Sequence, residues 1–233
     1  MRLYKSLLCL FLLAAPARAL AAEEDGGGLS FEAEAGVVSD YRYRGVSLSG
    51  EGPAVQGGVT AYGPAGFYAG VWASSIEEYG IGPDGDGARA ELDFSLGRSF
   101  SVGAWEVDLA ASAYTYPDGD GVNYVEFPVS ASRTVGAWTW TVGGAVSPPQ
   151  TGNGDETNTY LFGAAEWAWP ERPVTLTASI GREDGAWYDG KLDWSAGARF
   201  DLGKANISLT YVDADGRYAR GGLVAAVGVK FGG

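Results

Sequence analysis

The sequence contains no histidine, a single cysteine and a single methionine, and it has few basic residues for its acidic content. Each shortage excludes something. Without histidine, a serine or water nucleophile lacks its usual general base, and a zinc site lacks its preferred nitrogen ligand. The lone Cys9 lies in an early apolar stretch, so no disulfide framework supports the fold. No apolar run approaches the roughly 20 residues that a membrane-spanning helix needs.

The first residues read as an export signal. Arg2 and Lys5 give a positive start, Leu7 to Ala15 are almost wholly apolar, and Ala19-Leu20-Ala21 offers small residues at a cleavage spacing. Residues 1–21 are therefore expected to be a cleaved signal peptide, residues 22–29 a short N-terminal segment, and residues 30–233 the folded domain. Arg2, Lys5 and Arg18 leave with the signal, so 13 basic residues face 29 acidic ones, a net charge of −16. Nucleic acid is excluded as a partner by that balance.

What is present is a two-residue period. Ala90, Leu92, Phe94 and Leu96 share one face while Glu91, Asp93, Ser95 and Gly97 share the other. Trp105, Val107, Leu109, Ala111 and Ala113 oppose Glu106, Asp108, Ala110, Ser112 and Tyr114, and Leu192 to Phe200 alternate with Lys191 to Asp201 in the same way. Such alternation marks strands with two unlike faces. It recurs over spans 30–45, 54–62, 66–76, 88–100, 104–116, 123–134, 137–147, 157–169, 173–183, 190–202, 204–213 and 222–231, about twelve strands in all.

The connections alternate as well. Longer polar loops occur at 46–53, 77–87, 117–122, 148–156, 184–189 and 214–221, and short turns lie between them, as at Gly63-Pro64-Ala65 and Ser101-Val102-Gly103. Long loops on one rim, short turns and both termini on the other, and strands often of ten or more residues predict an all-β, transmembrane, antiparallel up-and-down β-barrel. Aromatic residues near strand ends predict two girdles: Trp105, Trp138, Trp140, Trp167, Trp169, Phe67, Phe100, Phe200 and Phe231 at the short-turn rim, and Tyr41, Tyr43, Trp72, Tyr114, Tyr116 and Tyr211 at the long-loop rim. A soluble sandwich would alternate too, with its apolar face inside.

The segment Ser39-Asp40-Tyr41-Arg42-Tyr43-Arg44-Gly45-Val46-Ser47, with Pro53 to Gly58 and Gly66-Phe67-Tyr68-Ala69-Gly70-Val71-Trp72-Ala73-Ser74, resembles the TorF family of porin-like proteins from Gram-negative bacteria. Weaker similarity runs through Glu91-Leu92-Asp93, Tyr114 to Gly119, Leu192-Asp193-Trp194 and Thr210 to Asp213, although Leu48 and Ser75 depart from the family pattern. The resemblance implies an outer-membrane barrel with a transport role and brings no functional residues with it.

Phasing of the polar faces gives the candidate pore-lining residues: Glu32, Glu34, Asp40, Arg42, Arg44, Glu91, Asp93, Glu106, Asp108, Glu126, Lys191, Asp193 and Arg199. Arg89, Asp201 and Lys230 fall on the same face. Arg42 and Arg44 fit either the basic side of a constriction or, more plainly, pairing with neighbouring acids across the wall. The acids at i, i+2 read as a charged lining, not a catalytic pair, and the two Pro-Asp-Gly-Asp-Gly loops read as solvated turns, because neither has the spread ligands of a calcium loop.

The function expected is a non-enzymatic porin-like channel for small polar solutes or ions, mildly cation-preferring, without a catalytic, cofactor-binding or metal site. Its partners would be outer-membrane lipid, lipopolysaccharide and the barrel-assembly machinery, with both termini in the periplasm. The alternatives are a sealed structural or adhesive barrel and a soluble secreted binding barrel. No loop exceeds about a dozen residues on these boundaries, and the segment before the first strand is too short to act as a plug.

Overall fold

The computed structural model describes residues 28–82, 85–216 and 219–232; the expected signal peptide of residues 1–21 and most of the expected N-terminal segment of residues 22–29 lie outside them. Twelve strands close into one antiparallel barrel: β1 (Ser30–Val38), β4 (Ala54–Tyr62), β5 (Phe67–Tyr79), β6 (Ala88–Val102), β7 (Trp105–Thr115), β8 (Tyr124–Val135), β9 (Trp138–Ser147), β10 (Asn158–Ala168), β11 (Val174–Gly185), β12 (Lys191–Leu202), β13 (Ala205–Ala214) and β14 (Gly222–Gly232). Each pairs with its sequence neighbour, and β1 closes the ring against β14, from Glu32 opposite Gly232 to Val38 opposite Ala226. Two further strands, β2 (Arg42–Tyr43) and β3 (Val46–Ser47), form a separate hairpin.

The alternation in the sequence becomes the inside and outside of this wall. Val55, Val59, Leu96, Leu109, Val129, Val142, Ile180 and Val227 are exposed on the outer face. Their partners in the alternation, among them Gln56, Glu91, Ser112, Glu126, Thr141, Ser195 and Thr210, are buried within. An apolar exterior around a polar interior is stable only in lipid, because each Å² of such surface costs about 25 cal/mol in water. The soluble sandwich has the opposite arrangement.

The rims follow the expected order, with six longer connections at one end and five short turns at the other. At the short-turn rim Trp138 stacks on Trp140 with ring centroids 5.4 Å apart, and Trp167 meets Trp169 at 5.5 Å, forming part of an outer girdle. The other girdle is corrected. Tyr41, Tyr43, Tyr114 and Tyr116 are buried inside the barrel, and Trp72 is turned inward against Tyr41. Among the described residues near that rim Phe127, Trp194 and Tyr211 face outward, Tyr211 as expected.

The first strand is also corrected. It leaves the wall at Val38, not at residue 45, and the Ser39 amide makes its last bond to β14, to the Ala225 carbonyl at 2.8 Å. Residues 40–49 then run through the barrel interior, and Gly50 and Glu51 are back at the exposed rim before β4 begins.

Candidate functional site

The inward segment is built around a two-residue turn. Arg42 pairs with Ser47 and Tyr43 with Val46, and Arg44 (φ 44°) and Gly45 (φ 85°) occupy the two left-handed positions that a type I′ hairpin requires. Gly45 is needed twice over, since a Cβ there would lie 2.5 Å from the Ala214 side chain and 2.9 Å from the Asp213 carbonyl on β13. Asp40 holds the hairpin base. Its carboxylate accepts hydrogen bonds from Arg42 Nε at 2.6 Å and from Ser47 Oγ at 2.6 Å, and Ser49 Oγ accepts from the Tyr41 amide at 2.8 Å.

At the tip, Arg44 spans the bore. One terminal nitrogen donates to both carboxylate oxygens of Glu126 on β8 at 2.8 Å, and the other donates to Glu183 on β11 at 2.8 Å. Lys191 on β12 pairs with Glu183 at 2.7 Å and donates to the Arg44 carbonyl at 2.7 Å. The guanidinium lies 4.0 Å from the Tyr160 ring centroid and 4.7 Å from that of Tyr43. Two cations thus meet two carboxylates at a site almost closed to solvent. Burial works against the charge of Arg44, but Glu126, Tyr43 and Glu183 outweigh it and hold the guanidinium well above its ordinary value. Such a cluster is specific in geometry, and removing one member leaves a buried charge uncompensated.

Around the hairpin the long-loop half of the lumen is packed. Tyr41 donates to Glu91 at 3.0 Å and Tyr116 donates to the same carboxylate at 3.3 Å. Tyr114 stacks on Tyr124 at 4.6 Å, and Tyr124 meets Trp187 edge-on at 5.0 Å. Tyr160 donates to Asp193 at 3.0 Å.

The short-turn half is different. Beneath the hairpin lies a cavity of about 270 Å³ whose lining includes Glu34, Glu166, Ser179, Arg199, Thr210 and Lys230. Its roof is Asp40, Tyr41 and Arg42 of the inward segment. Arg199 contacts Glu166 at 3.9 Å and Asp201 at 3.3 Å, all of them partly open to solvent. Across the lumen Asp108 accepts from Tyr68 at 3.0 Å and Ser99 at 2.5 Å, and Glu106 accepts from Ser101 at 2.8 Å.

The family model for Gcw_chp, described as a bacterial protein of unknown function, matches residues 21–226. The chain belongs to that family. No curated protein matches this Gcw_chp chain. Among solved structures it is similar to the KdgM porin, with a TM-score of 0.56 and 8% identity over 87% of this chain and 98% of that one. The NanC porin gives 0.55 and 9% over 86% and 98%, and the COG4313 outer membrane channel from Pseudomonas putida F1 gives 0.50 and 9% over 88% and 96%. At these identities the likeness is one of fold, that of an outer-membrane porin-like barrel.

The sequence-derived site residues of this Gcw_chp protein divide into groups. Arg44, Glu126, Lys191 and Asp193 come together at the hairpin tip, and Asp40 and Arg42 at its base. Glu91 and Asp93 stand beside one another on the opposite side of the packed half. Glu32, Glu34, Glu106, Asp108 and Arg199 belong to the short-turn half. Arg89 is outside, pairing with Glu78 at 2.7 Å, because the register between β5 and β6 shifts between Ser75 and Tyr79. Arg42 and Arg44 meet acids, as the plainer reading of the sequence expects, although Arg44 does so from within the bore and not along the rim.

Glu183, Glu166 and Tyr160 are site residues that the sequence reading does not single out, and Tyr43, expected in a girdle, is a fourth. Glu183 closes the inward series Thr175, Thr177, Ser179, Gly181 on β11, a phase visible in the sequence but obscured by the charged Arg182-Glu183-Asp184 run. Tyr160 lies over the wall where Gly181 leaves room, since a Cβ at Gly181 would strike its ring.

Proposed function

We propose that this protein is an outer-membrane channel of porin type through which small polar solutes or ions diffuse, with a mild preference for cations. The observation that carries the proposal is the short-turn half of the lumen, a partly open cavity of about 270 Å³ that charged and hydroxyl side chains line inside an otherwise closed wall. The porin-like fold and the resemblance to the TorF family support the same reading. Glu106 and Asp108 favour cations, because their carboxylates are held by hydroxyl donors and, among the described residues, make no ion pair with a basic side chain. Acidic long loops would add a negative mouth, with the strongest effect below about 0.1 M salt, where screening is least.

In this reading the long loops face outward toward lipopolysaccharide, and both termini face the periplasm, where the barrel-assembly machinery inserts the chain. An epitope beside Asp118 should then label on intact cells, and one at Gly233 should not.

The deciding experiment is reconstitution in planar bilayers across a salt gradient. Current reversing on the cation side is expected. Reversal on the anion side would contradict the preference, and the absence of current even from a barrel lacking the hairpin would replace the channel with a sealed structural barrel.

A further inference from the structure

We propose that residues 40–49 form a displaceable gate, a hairpin latched shut across the bore by Arg44 between Glu126 and Glu183 and able to leave as a unit. The proposal rests on the channel reading above and says how that channel is closed.

The wall does not need the hairpin. β1 pairs with β4 without interruption from Ser30 opposite Tyr62 to Val38 opposite Ala54, and with β14 on its other side. No strand pairing of the barrel passes through residues 40–49, and one backbone bond joins the hairpin to β5, from the Glu77 amide to the Leu48 carbonyl at 2.7 Å. The hairpin carries its own two-rung ladder, so it keeps its internal bonds when it moves. Its Asp40–Arg42 pair and the Ser47 and Ser49 bonds to Asp40 are likewise internal, while Arg42 also donates to the Val212 carbonyl on β13 at 3.4 Å and to the Arg220 carbonyl, side-chain bonds that opening must break.

What ties the tip to the far wall is side-chain chemistry. Arg44 to Glu126 and Glu183, and Lys191 to the Arg44 carbonyl, are bonds that water can replace once the hairpin withdraws. The docked state is also incompletely satisfied: Arg44 Nε, Asp193 Oδ2 and Asn158 Oδ1 are buried there without a hydrogen-bond partner. Hydration on opening would satisfy all three, which narrows the gap between shut and open.

The segment that follows is shaped as a hinge. Gly50 (φ 65°) and Glu51 (φ 61°) are consecutive left-handed residues ahead of Gly52, outside both the hairpin ladder and the wall. The hairpin is moreover the partition itself, since its base roofs the cavity of the short-turn half. Because Asp40 and Arg42 neutralise each other within the moving unit, Arg44 carries its net charge, so an applied potential biases docking.

The test is single-channel recording from the full mature barrel and from variants whose folding is checked by heat-modifiable migration on gels. Arg44→Ala, and separately Glu126→Gln with Glu183→Gln, should raise open probability about tenfold or more, because each leaves buried charge without its partner in the shut state. Arg44→Ala should also lose most of the voltage dependence, which a purely structural role would not predict. Replacing residues 41–48 by a Gly-Ser linker should give a permanently open pore of larger conductance. Arg89→Ala, outside the bore, should behave as the unaltered protein.

If the linker barrel conducts while both charge variants, folded, open no more often than the unaltered protein, the gate is refuted and the channel stands. If the folded linker barrel carries no current, the channel reading itself fails. Should Arg44→Ala not fold, the paired glutamine variant separates the same two outcomes.

Discussion

The two halves of this lumen are built on opposite principles from the same alternating strands. In the long-loop half, Tyr43, Tyr116, Glu91, Glu126 and Glu183 are fully buried, and the ion pairs are short, shared and nearly dry. In the short-turn half, the Arg199 pairs are longer and a quarter to a half open to solvent. One half resembles the core of a soluble protein and the other a wet conduit. Charge in the first maintains a geometry, because an unpaired partner there is costly, while charge in the second acts on whatever passes, because water already screens the pairs.

Substitutions matched across the two halves sharpen that comparison. The largest effect is expected from Arg44→Ala, which should cost the docked hairpin about 3–5 kcal/mol by stranding Glu126 while Glu183 keeps only Lys191 as a counter-charge, read as greater protease access to residues 40–49 in the folded barrel. Tyr160→Phe removes the hydroxyl that donates to Asp193, whose other oxygen is already without a partner, and should cost about 1–3 kcal/mol by thermal unfolding. Glu166→Gln in the wet half should change stability by no more than about 1 kcal/mol, yet move the reversal potential toward anions. Arg89→Ala, which breaks an exposed pair at the rim, should alter neither measurement beyond a few tenths of a kcal/mol. Equal stability losses from Arg44→Ala and Glu166→Gln would erase the distinction between the halves.

Much of the barrel was legible because each wall residue meets either lipid or lumen, and that binary choice is written directly into the residue type. Leu92, Phe94 and Leu96 against Glu91, Asp93 and Ser95 could fold in few other ways. The hairpin was not legible, because Tyr41-Arg42-Tyr43-Arg44 continues the same two-residue period while pairing with a different partner. Period two reports a strand and says nothing of which strand lies beside it.

The inner tyrosines illustrate a second limit. Tyr114 shares the phase of Glu106 and Asp108, which places it inside, yet its position near a strand end suggested a girdle. Phase was the better guide, since it follows from the pleat of the strand, whereas proximity to a rim is common to inner and outer faces alike. The meeting of Arg44 with Glu126 and Glu183 joins residues 82 and 139 positions apart, a distance no local pattern encodes.

The most direct test is to fasten the hairpin to the wall at β13. The only native cysteine is Cys9, within the expected signal peptide, so paired cysteines can be introduced cleanly. A Cβ at Gly45 falls 2.5 Å from that of Ala214, so a disulfide between Gly45→Cys and Ala214→Cys needs about 1 Å of relaxation, plus about 1–2 kcal/mol of left-handed strain at the turn. In the Arg44→Ala background the oxidised protein should be silent in planar bilayers, and reduction should restore frequent opening. Equal current before and after reduction, with the disulfide verified on gels, would show that solutes cross this barrel by a route the hairpin does not control.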